Sequence, residues 1–180
     1  MIASDSENFD RSARQGLTVV GLRSRHRKKA ERMLPGDRVL FFVRGEDAFA
    51  ATATVESPYF EDHVPIWVSS ESRADDFPWR VLLRPTLVLE RDEFVDAHQI
   101  APRLLYVRRW PPEQWPLAFQ GQVHLLSAQD FRLIERELER VVEHRPWTQG
   151  AGRRSDRARP PMGGPSHARP QYRGYNGDER

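Results

Sequence analysis

The residues best suited by type and spacing to bind a ligand form a basic cluster near the start of the chain. The cluster is followed by a single acid, Glu31, and consists of Arg25, His26, Arg27, Lys28 and Lys29. Cations presented together can bind phosphate or a nucleic-acid backbone, because neutralising phosphates releases bound counterions. The alternative is a solvated helix face, which runs of charged residues often form. Arg25, His26 and Lys28 are the members predicted to contact the ligand.

The neighbouring segments predict how this cluster is held in place. Ser24 is positioned to cap a short helix, since a serine side chain accepts a hydrogen bond from a free amide of the first turn. Pro35-Gly36-Asp37 then ends the helix, because proline cannot continue it and Pro-Gly suits a tight turn. Residues 38–43 follow as a strand that is apolar on both faces. The pattern therefore predicts a cationic helix joined by a turn to a buried strand.

Aromatic side chains are the second group whose chemistry suits a ligand. The chain has five tryptophans, and those beside prolines or at predicted strand ends are Trp67, Trp79, Trp110 and Trp115. A base stacked on such a ring gains about 1–3 kcal/mol. The alternative is packing in the core, which is the more common role of tryptophan.

Polar residues and one glycine supply further predicted contacts. Asn8 and Tyr59 can each hydrogen-bond to the edge of a base, although both residue types are also common in turns. In Phe119-Gln120-Gly121 the glycine allows a ligand to approach the backbone, and the Gln120 amide both donates and accepts. The alternative for this tripeptide is a bulge before a strand.

The sequence offers little for metal binding or catalysis. There is no cysteine, and the six histidines lack the spacing of metal ligands. We therefore predict no metal, no cofactor and no enzymatic activity. A competing hypothesis is a nucleic-acid-processing hydrolase that uses Glu61, Asp62 and His63. A third hypothesis is a sensor of a small nucleotide-like ligand.

Composition divides the chain near residue 145. Residues 147–180 contain four prolines and six glycines with almost no aliphatic side chains, so we predict disorder there. Residues 145–180 hold eight arginines and three acids, a net of +5, whereas the whole chain carries +2; residues 1–144 therefore carry about −3. The prediction is a folded domain over 1–145 and a disordered basic tail, rich in Arg, Gly and Pro, over 146–180. The tail either binds RNA or DNA without sequence preference or only keeps the protein soluble.

Location follows from the same composition. No apolar run approaches the length of a membrane span, and the first residues lack the pattern of a signal peptide. Together with the missing cysteines, these features predict a soluble cytoplasmic protein with no membrane partner.

The alternation of apolar and polar residues predicts the remaining elements. A hairpin joins 38–43 to 48–55 across Gly45-Glu46-Asp47. Further strands are predicted at 2–4, 17–22, 78–83, 86–90 and 122–126, and a helical turn at 101–105. Ser127 caps a helix that runs to about Glu143 with an apolar stripe for packing. The sum is an α+β fold, a small β-barrel of five to six strands with flanking helices and a C-terminal packing helix.

Seven short motifs occur in a characteristic order along the chain. They are Glu7-Asn8-Phe9, Gly21 with the basic run from Ser24, Leu34-Pro35-Gly36-Asp37, Ser57-Pro58-Tyr59, Pro78-Trp79-Arg80, Arg109-Trp110 and Phe119-Gln120-Gly121. In order and spacing they resemble the EVE domain family of the PUA-like superfamily, relatives of the YTH readers. The chain departs from that family at Asp5, where an apolar residue is usual. The resemblance implies a barrel whose pocket holds a flipped or modified base, with no established catalytic activity.

The residues and the resemblance together predict a non-catalytic module that recognises a base in DNA or RNA. The predicted ligand contacts are Asn8, Gly21, Arg25, His26, Lys28, Tyr59, Trp79, Arg109, Trp110, Phe119, Gln120 and Gly121.

Overall fold

A computed structural model describes residues 1–68 and 77–145. Within these residues, one mixed sheet curves into a half-barrel in the order β1-β3-β4-β6-β2, with β5 beside β6 and β7 beside β4. β1 runs parallel to β3, and the other pairs are antiparallel. The strands are β1 (Ile2–Asp5), β2 (Val19–Leu22), β3 (Arg38–Arg44), β4 (Ala48–Val55), β5 (Phe60–Glu61), β6 (Trp79–Val88) and β7 (Val95–Asp96). With its flanking helices, this sheet confirms the predicted α+β fold.

Four α-helices accompany the sheet in the described part of the chain. They are α1 (Ser6–Arg14), α2 (Arg27–Ala30), α3 (Ala97–Ile100) and α4 (Ala128–Glu143), and 3₁₀ turns lie at Ser24–His26, Arg91–Glu93, Ala101–Arg103 and Trp115–Phe119. The sequence analysis missed α1. This helix begins where the Asp5 carboxylate accepts a hydrogen bond from the Asn8 amide at 2.8 Å. Asp5, which departs from the EVE pattern, is therefore the N-cap of α1.

Strand β3 is apolar on both faces because it separates two hydrophobic clusters. Val39, Phe41 and Val43 face the interior of the half-barrel, where they join residues of α1, β2 and β6. Leu40 and Phe42 point the other way, into a cluster with α3, α4 and the Trp115–Phe119 turn. All five side chains are buried. The sequence-based prediction of a buried strand is therefore confirmed.

Helix α4 covers the second cluster and has the predicted boundaries. Ile134 and Leu138 are fully buried on it. The Ser127 hydroxyl accepts a hydrogen bond from the Asp130 amide at 3.1 Å, which caps the helix. The Asp130 carboxylate accepts bonds from the amides of Leu105 and Tyr106 at 2.8 and 3.0 Å. Aspartate at this position therefore joins α4 to the 105–106 segment.

Three local predictions are wrong. Ser24 opens a 3₁₀ turn whose N-cap, Arg23, makes no side-chain bond, so no serine cap forms. The two strands predicted around Pro85 are one strand, because Pro85 lies at a register shift opposite Ala53 and its missing N–H leaves the pairing intact. Residues 122–126 form an isolated bridge, Ile2 to Val123, in place of a strand.

The prediction of a disordered basic tail at 146–180 lies outside the described residues. Among residues 1–68 and 77–145, no helix is both long enough and apolar enough to cross a membrane.

Candidate functional site

A cavity of about 480 Å³ opens where β1, α1, β2 and the segment 120–122 meet. Its size is within the range of small-molecule pockets, about 300–1,000 Å³. The lining includes two aromatic rings, Trp67 and Phe77, which supply flat apolar surface, and polar residues of β1 and β3. The cavity therefore combines an aromatic wall with a polar wall.

The aromatic wall lies directly on the backbone of β2. The ring centroids of Trp67 and Phe77 are 5.8 Å apart, with an angle of 57° between the planes. A Cβ atom at Gly21 would lie 2.3 Å from Cζ3 of Trp67 and 2.9 Å from Cβ of Phe77. No side chain fits there, so glycine is required at position 21 for Trp67 to occupy this place.

A buried arginine organises the loop that carries both rings. Arg80 on β6 is 1% exposed. Its Nη1 donates to Asp62 Oδ2 at 2.6 Å, its Nη2 to the Val64 carbonyl, and its Nε to the Phe77 carbonyl at 3.3 Å. The guanidinium also stands 5.4 Å from the centre of a Trp67 ring. One cation thus ties the two ends of the loop together behind the aromatic wall.

Helix α1 fixes the same loop from the opposite side. The Asn8 amide donates to the Val68 carbonyl at 2.7 Å and accepts from the Val68 N–H at 2.8 Å. Its remaining N–H donates to Asp5 Oδ2 at 3.0 Å. The Trp67 Nε1–H donates to the Ser12 hydroxyl at 2.7 Å. One N–H and the oxygen of the Asn8 side chain therefore hold Val68, and the other N–H holds the side chain against Asp5.

The segment 120–122 closes the cavity through a second amide. Gln122, which is buried, donates from Nε2 to the Gly21 carbonyl at 2.9 Å and accepts at Oε1 from the Arg23 amide at 2.9 Å. Behind this segment, the Tyr106 hydroxyl donates to the Ala118 carbonyl at 3.1 Å and lies 2.8 Å from His124 Nδ1. Burial lowers the pKa of His124, which favours its neutral form at neutral pH.

Positive charge dominates the polar wall. Arg23, Arg25 and Arg44 line the cavity together with one acid, Asp5. The Arg23 guanidinium carbon is 5.7 Å from the centre of the Phe77 ring, so one cation borders the aromatic wall. Ser4 also lines the cavity. The site can therefore accept a flat ring and negative charge at the same time.

The structure brings five of the predicted contacts to this cavity. They are Asn8, Gly21, Arg25, Gln120 and Gly121. Two of these residues position the aromatic wall. Asn8 holds the loop at Val68, and Gly21 leaves room for the Trp67 ring.

Four predicted residues lie around α2. The Arg27 guanidinium stacks over Trp79 at 4.9 Å from the ring centre, and Trp79 Nε1–H donates to the Ser24 carbonyl at 3.0 Å. The Tyr59 ring packs edge-on against Trp79, with 6.3 Å between centroids. His26 is half-buried in the preceding turn, and Lys28 is exposed on α2. Trp79 and Tyr59 thus support the basic segment and do not line the cavity.

The other three predicted residues lie elsewhere. Arg109 and Trp110 border a separate groove of about 340 Å³, together with Tyr106 and Asp130. Phe119 is buried in the core, stacked on Phe42 with 4.7 Å between ring centroids. A ligand in the cavity would therefore not contact these three side chains directly.

Sequence reasoning did not assign a ligand role to several residues that form the cavity. Trp67 was named among the tryptophans that could stack a base but not among the predicted ligand contacts, and Phe77, Arg23, Arg44, Ser4, Ser12 and Gln122 were not assigned at all. The sequence did carry one usable signal. Gln122 directly follows the motif Phe119-Gln120-Gly121, which the sequence analysis had already singled out.

The residues proposed for a hydrolase have structural partners. Asp62 is ion-paired with Arg80, and His63 Nε2 lies 3.0 Å from Glu61 Oε1 on the surface. In the described part of the chain, no three side chains of His, Cys, Asp or Glu are grouped to hold a metal ion.

No protein-family model and no curated protein matches this chain. Solved structures do match. A YTH domain-containing protein, Mmi1, in complex with RNA aligns with a TM-score of 0.55 and 9% identity, over 79% of this chain and 83% of the other. The fold is of the YTH type. A structure of the Mmi1 YTH domain gives a TM-score of 0.53 at 8% identity, over 79% and 99% of the two chains. A further Mmi1–RNA complex gives 0.51 at 11%, over 79% and 78%.

Proposed function

We propose that this protein is a non-catalytic binding module that takes an extruded base of a nucleic acid into the cavity bounded by Trp67 and Phe77. The observation that carries the proposal is the aromatic wall held rigid by buried polar contacts from Arg80, Asn8 and Ser12. A preformed wall does not have to be ordered when the ligand binds, so less of the binding energy is lost. Flat rings favour a stacked base of any sequence.

The basic side chains around the cavity support a nucleic-acid ligand in preference to an isolated small molecule. Arg25 lines the cavity, and α2 follows it directly with Arg27 and Lys28. A strand whose base enters the cavity would bring its neighbouring phosphates towards these cations. The Mmi1 structures of the same fold, two of which are complexes with RNA, agree with this proposal.

The proposal extends to a modified base, as the resemblance to EVE domains suggests. The walls contain both apolar rings and hydrogen-bonding groups, which can distinguish an added methyl or polar substituent from an unmodified edge. A sensor of a free nucleotide-like ligand is the second candidate, favoured by the cavity volume of about 480 Å³. The hydrolase hypothesis is weakened by the ion pair that engages Asp62.

The test compares two tryptophans in the full chain. Binding of labelled RNA and DNA oligonucleotides, each with and without a modified base, would be measured by fluorescence anisotropy at low and high salt. We expect Trp67→Ala to weaken binding about 5- to 150-fold, as expected for a lost stack of about 1–3 kcal/mol, and Trp67→Phe to restore part of it. Trp110→Ala is the control and should change affinity less than twofold.

Two results would contradict the proposal. If Trp67→Ala and Trp110→Ala have equal effects, the cavity is not the base-binding site. If no oligonucleotide binds at low salt while free nucleosides stabilise the protein in thermal unfolding, the nucleotide-sensor function is supported instead.

A further inference from the structure

Among the described residues, two that line this cavity each carry a buried polar atom without a hydrogen-bond partner. They are Ser4 on β1, through its hydroxyl, and Arg44 on β3, through its Nε. Leaving a buried donor unsatisfied costs about 1–3 kcal/mol, and more when the group is charged. A cost of this kind is typical of binding sites, where the ligand provides the missing partner.

In the described structure, the carboxylate opposite Arg44 in the sheet forms no ion pair with it. Asp5 is the register partner of Arg44 in the β1–β3 pair. Its Oδ1 and Oδ2 accept instead from the Asn8 amide at 2.8 Å and from Asn8 Nδ2 at 3.0 Å. The Asp5 oxygens are therefore engaged at the N-cap of α1, and in the described structure they form no ion pair with Arg44.

The described part of the chain contains 18 arginines. Nine of them form an ion pair with a carboxylate: Arg11, Arg27, Arg38, Arg80, Arg84, Arg91, Arg103, Arg140 and Arg145. Arg44 is among the other nine, and it is half-buried with its Nε covered and without a hydrogen-bond partner. Of the four charged residues that line the cavity, three are arginines, which gives a net charge of +2.

We propose that the cavity takes an anionic ligand, with an oxyanion bound inside it by Arg44 and Ser4 and a ring stacked on Trp67. This inference rests on the proposed function and specifies its ligand: the nucleotide unit enters together with a negative group. A planar guanidinium matches the geometry of phosphate and carboxylate oxygens, and a hydroxyl adds a further donor. The oxyanion is either the phosphate of the extruded nucleotide or an acidic substituent on its base.

The experiment measures affinities of small ligands for the full chain by isothermal titration calorimetry at high salt, which screens the surface charges. The probes are a nucleoside, its 5′- and 3′-monophosphates, a nucleoside with a carboxyl group on the base, and inorganic phosphate. We expect at least one anionic nucleoside derivative to bind about 10- to 100-fold more tightly than the neutral nucleoside, the range of one or two charged hydrogen bonds. The derivative that does so identifies the source of the anion.

Substitutions then assign that preference to residues. Arg44→Gln should remove the advantage of the anionic probe and leave the neutral nucleoside unchanged, and Ser4→Ala should reduce it by a smaller factor. Arg44→Lys keeps the positive charge but lacks the planar pair of donors. Its preference for the anionic probe should therefore lie between that of the natural chain and that of Arg44→Gln. Arg132→Gln, on the exposed face of α4, is the matched control and should have no effect. Circular dichroism melting would establish that each variant is folded.

The inference is overturned if neutral and anionic probes bind equally, if Arg44→Gln leaves the preference intact, or if inorganic phosphate binds as tightly as the best nucleotide. These failures differ from failure of the proposed function. If oligonucleotides bind through Trp67 and Arg44→Gln has no effect, only the anionic ligand is wrong. If monophosphates bind through Arg44 and no oligonucleotide binds, the anion site stands and the nucleic-acid function is wrong.

Discussion

Two parts of the surface combine aromatic rings with arginines, and they are built differently. At the cavity, Trp67 is held by a hydrogen bond from its indole to Ser12, by the guanidinium of Arg80, and by contact with the backbone of Gly21. At the groove beside Tyr106, Trp110 is 39% exposed, and Arg109 is exposed next to it.

The comparison shows that residue type does not distinguish a binding wall from a surface turn. Both places offer a tryptophan and a cation, and the sequence analysis favoured Arg109-Trp110. What differs is the buried polar support behind the ring. Such support is costly to maintain unless every group is satisfied, so it indicates where the position of a side chain is fixed.

The largest effect is expected when the polar support behind Trp67 is removed by replacing Arg80 with methionine. Asp62 and the carbonyls of Val64 and Phe77 would lose their donor. We expect the free energy of unfolding to fall by about 2–4 kcal/mol, because Asp62 is partly exposed and water can solvate it in part. Urea denaturation of the full chain measures this.

Arg109→Met is the matched control for that substitution. Surface changes away from buried networks usually alter the free energy of unfolding by less than about 0.5 kcal/mol. Equal midpoints for the two variants would show that Arg80 does not organise the loop.

A smaller effect is expected from Gly21→Ala. The new methyl group would overlap Trp67, so the ring must move away from β2. Forcing an extra carbon into a packed site costs about 1–3 kcal/mol, and affinity for oligonucleotides should fall as the wall is displaced. In a Trp67→Ala background the same substitution should cost less, and a double-mutant cycle of unfolding free energies measures the coupling. Additive costs would mean that the ring and the glycine do not touch.

The smallest effect is expected from Ser12→Ala, which removes the acceptor of the Trp67 indole N–H and the donor to the Asn8 carbonyl. Each lost hydrogen bond of this kind lowers the free energy of unfolding by about 1 kcal/mol. The more sensitive measurement is the rotational freedom of the ring, followed by the fluorescence anisotropy decay of a variant in which Trp67 is the only tryptophan. A decay unchanged by Ser12→Ala would show that the hydroxyl does not hold the indole.

Much of the fold was predictable because it depends on local patterns. The β3–β4 hairpin follows from two apolar runs around Gly45-Glu46-Asp47, and α4 follows from a serine cap and a helical stripe. Helix α1 was missed because most of its residues are polar. Its N-cap, Asp5, is also the last residue of strand β1, so the sequence there does not indicate the start of a helix. The strand through Pro85 was divided, because only its pairing with Ala53 shows that the missing N–H is tolerated.

The candidate site was predictable only in part for the same reason. Gly21, Arg25 and the Gln120-Gly121 pair stood out by type or motif, and all of them line the cavity. Arg44 and Ser4 did not, since each reads as an ordinary strand residue. Each carries a buried polar atom without a hydrogen-bond partner. Burial of this kind cannot be predicted from the residue type or from its neighbours in the sequence.

The sequence by itself determined an α+β half-barrel, a buried strand at 39–43, and a C-terminal helix, because apolar periodicity and turn residues act over short stretches of chain. Tertiary structure alone decided which aromatic residues form a wall. That choice depends on contacts between residues far apart in the chain, such as Trp67 with Ser12 and Gly21 with Gln122. It also decided that Asp5 caps a helix and forms no ion pair with Arg44, its neighbour across the sheet, because the fold directs both Asp5 oxygens to Asn8.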